Sequence, residues 1–281
     1  MIDVKDLEYI YAGTAKTALN RINFNIDCGE VFGFLGPSGS GKSTTQKILF
    51  RLLSGYNGSA KIDGVEVNQW GKKLYEKIGV GFELPNHYLK LTALENLNFF
   101  KAFYSRSKSP MDLLAMVGLE KDANKKVGDY SKGMKMRLNF VRAIMHDPEI
   151  LFLDEPTSGL DPVNSRIVKD LILEQKKQGK TIFITTHEMH DADELCDRVA
   201  FIADGSIMAL DKPQNLKLKG SKRMVEVRLK NDHNLYEFSL DELGKNRVFS
   251  ALIERSEIET IHSKEATLDD IFIQITGKTL S

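Results

Sequence analysis

The sequence predicts an α/β protein: an open parallel sheet with helices packed on it, antiparallel strands ahead of it, and a small α+β domain after it. Three observations carry that expectation. Residues 31–35, 150–153 and 181–185 are short runs dominated by apolar residues, the pattern of strands buried on both faces of a sheet, and each leads into a turn and then a helical segment. The turn after the first run, Gly36-Pro37-Ser38-Gly39-Ser40-Gly41-Lys42-Ser43, fits G-x-x-x-x-G-K-[ST], the P-loop pattern. A chain of 281 residues is long enough for a large core with a second, smaller domain beside it.

Taken in order, residues 1–35 alternate apolar and polar positions in bursts at Ile2-Asp3-Val4, 19–26 and 31–35, which reads as strands, antiparallel at least in part. A helix over 42–53 follows the P-loop. Gly55-Tyr56-Asn57-Gly58 is a turn, and 61–67 reads as a hairpin around Asp63-Gly64. Residues 78–82 form a short strand. Thr92-Ala93-Leu94-Glu95 has the form of a capping box opening a helix through Tyr104, and Ser109-Pro110 can start another to about Val117. A third helix begins near Ser131, so that about 84–147 is a mostly helical insert. Asp161-Pro162 caps a long helix to about Gln178, and 198–203 is a further strand. The basic stretch Lys217-Leu218-Lys219-Gly220-Ser221-Lys222 reads as a linker, dividing a domain over 1–218 from one over 219–281. Past it, strands are expected at 225–229, 235–240 and 258–261 and a helix at 243–254. A final helix carries Leu268, Ile271, Phe272 and Ile275 at i, i+3, i+4, i+7, most simply a core-facing seam, with a partner-binding face as the alternative.

Composition excludes several classes. Lys plus Arg equals Asp plus Glu, so there is no electrostatic footprint for bulk nucleic-acid binding. No apolar run is long enough to cross a bilayer and the N-terminus has no secretory pattern, which predicts a cytoplasmic chain. Cys28 and Cys196 fit no metal or redox spacing and are expected as free thiols.

The chemistry centres on the P-loop. Glycines let the backbone wrap closely, so that its N–H groups can point at phosphate oxygens at the start of a helix. Lys42 can reach the outer phosphates and the Ser43 hydroxyl can ligate Mg²⁺. Gly36, Ser38, Gly39, Ser40, Gly41, Lys42, Ser43 and Thr44 are the expected nucleotide-binding set. Asp154 ends a buried strand and is the natural Mg²⁺ partner of Ser43. Glu155 beside it can orient or activate an attacking water, which favours hydrolysis over phosphoryl transfer to another substrate. His187 follows the 181–185 strand by two residues, at the sheet edge where α/β ligands bind, and can contact the γ-phosphate and hold the water–Glu155 geometry. A GTPase would need Asn-Lys-x-Asp; Asn124-Lys125 is followed by Val127 in place of the Asp. A protein kinase uses a different Gly-rich loop.

Asp129-Tyr130-Ser131-Lys132-Gly133-Met134, just before a helix and upstream of Asp154, resembles the signature of ABC-transporter ATPases, usually L-S-G-G-Q. Tyr130, Lys132 and Met134 depart from it; Ser131 and Gly133, which matter for phosphate contact, remain. The degenerate form resembles the ABC-2 exporter branch. Other family motifs follow in order over about 1–215. Tyr11 stands where the aromatic that stacks on adenine is expected, with Tyr9 as a rival. Ser158-Gly159-Leu160-Asp161 resembles the D-loop and Thr186-His187 the switch histidine. Glu83 occupies the position of the family's Q-loop Gln; an ionised Glu accepts but does not donate, and it is a further candidate Mg²⁺ ligand.

The resemblance implies a P-loop NTPase parallel-sheet core with an antiparallel β subdomain and a helical subdomain carrying the signature. It also implies ATP and Mg²⁺ as cofactors and a second ATPase subunit, identical or homologous, whose nucleotide meets Ser131, Gly133 and Asp161 of this chain in trans. Membrane spans would then come from a separate polytopic permease of ABC-2 type, docked near 83–104, with the ATPase peripheral on the inner face of the membrane. The rivals are a soluble ABC ATPase of translation or DNA repair, disfavoured by the single ATPase domain, the lack of a long heptad insert and zero net charge, and a binding module that uses the ATPase as its switch.

Overall fold

The computed structural model describes residues 1–220, 224–230, 232–255, 257–264 and 266–278. The backbone divides into two compact units, one over Met1–Lys212 and one beginning at Pro213.

The first unit opens with β1 (Ile2–Ile10) and β2 (Thr17–Ile26), an antiparallel pair, then β3 (Val31–Leu35), buried along its whole length. Helix α1 (Lys42–Leu49) follows the P-loop. It stops short of the expected Leu53: Arg51 adopts a positive φ of 62°, and the Leu52 and Leu53 amides both donate back to the Lys47 carbonyl, closing the helix end. Strands β4 (Asn57–Ile62) and β5 (Val65–Glu66) form the expected hairpin, with Asp63 and Gly64 both at positive φ (50° and 77°). Short α2 (Lys73–Lys77) leads into β6 (Ile78–Gly81).

The insert then supplies α3 (Ala93–Lys101), α4 (Pro110–Met116) and α5 (Lys132–Ile144). Thr92 and Glu95 close a complete capping box on α3, and Ser131 caps α5. The sheet resumes with β7 (Ile150–Asp154), α6 (Pro162–Lys177), β8 (Thr181–Thr186), α7 (Met189–Leu195), β9 (Arg198–Ala203) and β10 (Ser206–Asp211). Neither α7 nor β10 is predicted by the sequence pattern.

Strands β2-β1-β4-β5 form an antiparallel sheet. The larger sheet has the order β10-β9-β3-β8-β7-β6, parallel from β9 to β6, with β10 an antiparallel edge. Phe24 of β2 packs against Phe32 and Phe34 of β3 and Phe183 of β8, so the two sheets share one aromatic core. Buried Gln46 of α1 donates to the carbonyls of Leu153 (3.3 Å) and Phe183 (3.0 Å), fastening the P-loop helix to β7 and β8.

The second unit holds α8 (Pro213–Gly220), β11 (Met224–Leu229), β12 (Asp232–Ser239), α9 (Arg247–Glu254), β13 (Ile258–Lys264) and α10 (Leu268–Thr276). The expected linker is therefore helical over 217–220, the last turn of α8, while Ser221 and Lys222 lie outside the described residues. The expected helix at 243–254 begins later, because Asn246 accepts from the Val248 and Phe249 amides and caps α9 there; residues 240–245 are 3₁₀. Val225, Val227, Phe238 and Phe249 form a small core on the sheet β12-β11-β13. Leu268, Ile271 and Phe272 of α10 are buried and Ile275 is 39% exposed, so three of the four seam residues face a core.

Candidate functional site

The carboxyl ends of β3, β7 and β8 meet at one edge: Leu35 pairs with Thr186 and Asp154 with Thr185. The P-loop, Asp154-Glu155 and His187 each leave the sheet there, beside a cavity of about 470 Å³. Tyr11, Ser38, Gly39, Gly41, Lys42, Ser43, Thr44, Glu83, Glu155 and His187 line it, all expected from the sequence. Gly36 and Ser40 do not. Gly36 forms the turn itself, where a Cβ would lie 2.1 Å from the Ile202 carbonyl oxygen, and the Ser40 side chain is buried. Thr14, Lys16 and Ala18 also line the cavity; they flank the β1–β2 turn and carry no motif that announces them.

Lys42 Nζ donates to the carbonyls of Gly36 (2.6 Å) and Pro37 (3.2 Å) and stands 3.6 Å from Glu155 Oε1. Burial pushes its ammonium below the ordinary lysine value, and Glu155, Asp154 and Glu83 restore part of that shift. Ser43 Oγ donates to Asp154 Oδ1 at 3.0 Å, and Thr185 Oγ1 donates to the same oxygen. Glu155 holds a left-handed backbone, φ 48°, costly for a non-glycine residue. It is kept there by its amide on the Thr185 carbonyl (2.8 Å) and by the Ser158 amide on its own carbonyl (3.2 Å). Its side chain is 7% exposed. Glu155 Oε2 accepts from the His187 backbone N–H (3.3 Å) and from ring Nδ1 (2.8 Å), which must carry the proton because a carboxylate only accepts. A lysine, a carboxylate and an imidazole are thus linked in one line above the P-loop.

The tyrosines separate by burial. Tyr11 is 38% exposed on the cavity rim, where its hydroxyl meets Thr44 Oγ1 at 2.9 Å; Tyr9 is buried beneath it, edge to face at 5.0 Å.

Ser131, Gly133 and Asp161 form a second group, and none of them lines the cavity. Ser131 Oγ accepts from the Met134 amide (3.2 Å). A Cβ on Gly133 would lie 2.5 Å from the Asn164 side chain, so glycine leaves room for that side chain where it stands. Asn164 Nδ2 donates to Asp161 Oδ2 at 2.5 Å, and Asp161 Oδ1 caps α6 through the Val163 and Asn164 amides. The Asn164 hydrogen bond and these amides hold the Asp161 carboxyl below its ordinary value. Lys132, where the signature usually has glycine, extends its ammonium over Gly159.

Fold and site define a P-loop nucleotide-binding protein. Residues 19–158 match the ABC transporter family model, and 223–265 match that of the fluoroquinolone efflux ABC transporter C-terminal domain. The chain is 52% identical to a fluoroquinolones export ATP-binding protein of Mycobacterium tuberculosis (strain ATCC 25618 / H37Rv), over all of this chain and 95% of that one. It is 31% identical to the bacitracin transport ATP-binding protein BcrA of Bacillus licheniformis, over 99% and 97%. It also resembles the dimeric structure of an ATP-binding cassette in a post-hydrolysis state bound to ADP and Pi, with TM-score 0.69 and 30% identity over 75% of this chain and 98% of that one. The chain belongs to the ATP-binding subunits of ABC transporters, among the exporters of that family, and is an ATPase of that class. Among its described residues no helix is long and apolar enough to cross a membrane.

Proposed function

We propose that this subunit drives efflux of fluoroquinolone-class compounds through a separate ABC-2-type permease. The observation that carries the reading is the 52% identity along the whole chain to the mycobacterial export subunit, with the separate match of 223–265 supporting it. Bound beneath the permease, the subunit is peripheral on the inner face of the membrane. The docking surface we assign is the aromatic groove lined by Phe50, Phe82, Phe100 and Tyr104.

The site residues take these roles. Backbone N–H groups of the P-loop and Lys42 hold the phosphates, and Tyr11 stacks on the adenine. Ser43 and Asp154, already hydrogen-bonded to each other, are hard oxygen donors of the kind Mg²⁺ takes, with Glu83 on the same cavity as a third. When bound, the metal neutralises charge on the outer phosphates. Glu155 accepts the proton of the attacking water, and His187 holds the Glu155 carboxylate through Nδ1. Ser131, Gly133 and Asp161, lying apart from the P-loop cavity, complete the nucleotide site of a second ATPase subunit, so two subunits close over two nucleotides.

The test is reconstitution in vesicles with the permease that co-purifies from detergent-solubilised membranes. ATP-dependent movement of an intrinsically fluorescent fluoroquinolone is expected. ATP turnover by the reconstituted complex with no drug movement would reject the substrate class.

A further inference from the structure

Between β6 and α3 the chain runs as an irregular segment that carries Glu83 on the nucleotide cavity. Three residues of α5 hold it. Asn139 Nδ2 donates to the Phe82 carbonyl (2.8 Å), on one side of Glu83. Arg142 donates through one guanidinium nitrogen to the Asn86 carbonyl (2.9 Å), on the other side, and through the second to Asn139 Oδ1 (2.8 Å). The third bond comes from His87, whose ring Nε2 donates to the Lys135 carbonyl (3.0 Å). Positions 135, 139 and 142 are i, i+4, i+7, one face of the helix. The segment is therefore strapped along α5, the helix whose N-terminus is Ser131.

Arg142 is an expensive way to build a strap. It is 9% exposed, no carboxylate among the described residues pairs with it, and its charge is met by two oxygens and by the Phe100 ring at 4.8 Å from the guanidinium carbon. Burial pulls it down to about 10, against a smaller opposing effect of Tyr104. A buried cation without a counter-ion costs folding free energy that an apolar residue would not. The one thing it does that an apolar residue cannot is bridge a side-chain oxygen of its own helix to a backbone oxygen of the Glu83 segment. Glu83 in turn acts on the site: its charge is among those that support the Lys42 ammonium.

We propose that Arg142, with Asn139, is a positioning residue that sets the reach of Glu83 into the nucleotide cavity and so ties that carboxylate to the helix bearing the signature. This rests on the reading that Glu83 faces the bound nucleotide. His87 adds no pH switch, since burial and then the Arg142 charge lower it to about 4, leaving it neutral across the working range.

The test is steady-state ATPase kinetics of the full chain without permease, so that the docking groove does not enter. Arg142→Ala is expected to lower kcat roughly 10-fold, with KM for ATP changed less than about 3-fold, as for residues that orient a ligand from behind. Arg142→Lys should not restore it, because one ammonium cannot span both oxygens as the guanidinium fork does. In a Glu83→Ala background Arg142→Ala should add no further loss. If the Arg142 variants fail to fold by circular dichroism, Asn139→Ala, which removes the Phe82 bond and the Arg142–Asn139 bond but leaves Arg142 on the Asn86 carbonyl, is read by the same cycle. Wild-type kcat in Arg142→Ala, or losses that multiply with those of Glu83→Ala, would overturn the proposal. A Glu83→Ala protein with wild-type kcat would instead reject the underlying reading of Glu83.

Discussion

Replacing Glu155 with Gln removes one charge from the site and keeps its shape. Two effects compete on stability. At 3.6 Å and an effective dielectric of about 20, the attraction between Lys42 and Glu155 is about 4–5 kcal/mol. Neutralising Glu155 forfeits that, but it also removes the desolvation cost of a carboxylate only 7% exposed, which is several kcal/mol per ion. The Gln oxygen can still accept from both His187 donors. The net change in stability is therefore about 1–2 kcal/mol, a Tm shift of a few degrees for a protein of this size. Catalysis has no such compensation. A neutral amide cannot take a proton, and loss of a general base costs about 10²- to 10⁴-fold, or roughly 2.7–5.5 kcal/mol of barrier. Nucleotide binding rests on other atoms and should persist. Single-turnover ATP hydrolysis, ATP binding by calorimetry and size-exclusion chromatography with ATP check the three statements, and the variant should run as a stable dimer with ATP. Hydrolysis at the wild-type rate would refute the assignment. So would inactivity accompanied by a Tm fall of more than about 10 °C, because the loss would then be one of folding.

Gly36→Ala places a methyl 2.1 Å from the Ile202 carbonyl oxygen, which is backbone and cannot swing aside, so a loss of about 1–3 kcal/mol and weakened ATP binding are expected in thermal melts and calorimetry. Tyr11→Phe gives up only the hydroxyl contact with Thr44 and should weaken ATP binding no more than about 5-fold, whereas Tyr11→Ala, losing a stacking face, should weaken it about 10-fold or more; equal effects would argue against stacking. Burial lowers the Lys77 ammonium, but Asp63 and Glu149, each 2.6 Å from Nζ, outweigh it and raise the group above 10.5. The folded state then holds the proton more tightly than the unfolded one, so the advantage of the wild type over Lys77→Met in urea unfolding should be constant from neutral pH up to 10.5 and shrink as pH rises through the raised value. Cys28 is exposed, whereas Cys196 is buried with its thiol pushed up by burial, so a thiol reagent should titrate one cysteine in the native protein and two after denaturation.

The site was legible where its chemistry is local in the chain. The P-loop, the Asp-Glu pair closing an apolar run, and the caps at Thr92, Ser131 and Asp161 announce themselves because each is a residue type demanded by the backbone within a few positions of it. What stayed hidden depends on distant partners or on weak patterns. Strand β10 has no fully buried position and Met208 is 46% exposed, so it lacks the alternation that marks a strand; it exists because it adds to the edge of β9. Helix α7 has only seven residues, too few to show a period. Helix α1 does not extend past Leu49 as expected because the helix end is decided by where the Leu52 and Leu53 amides bond, not by hydrophobic spacing.

The strap on Glu83 shows why such couplings escape sequence reading. Asn139 and Arg142 reach backbone carbonyls more than fifty residues away, and a carbonyl is present whatever side chain its residue bears. No pairing of residue types records the contact. The same holds for Gln46, whose two acceptors are carbonyls of β7 and β8. In both cases a polar side chain leaves a helix to fix the main chain of an element that carries or leads into a proposed site residue. The P-loop helix is fixed to β7, which ends at Asp154, and to β8, which leads into His187, and the signature helix is fixed to the segment bearing Glu83. Neither Gln46 nor Arg142 lines the P-loop cavity, yet a substitution at either frees a carbonyl and is expected to leave a proposed site residue less firmly placed. Motifs mark the groups proposed to meet the nucleotide; in these two cases the side chains that hold their main chain lie on helices that pass the right carbonyls.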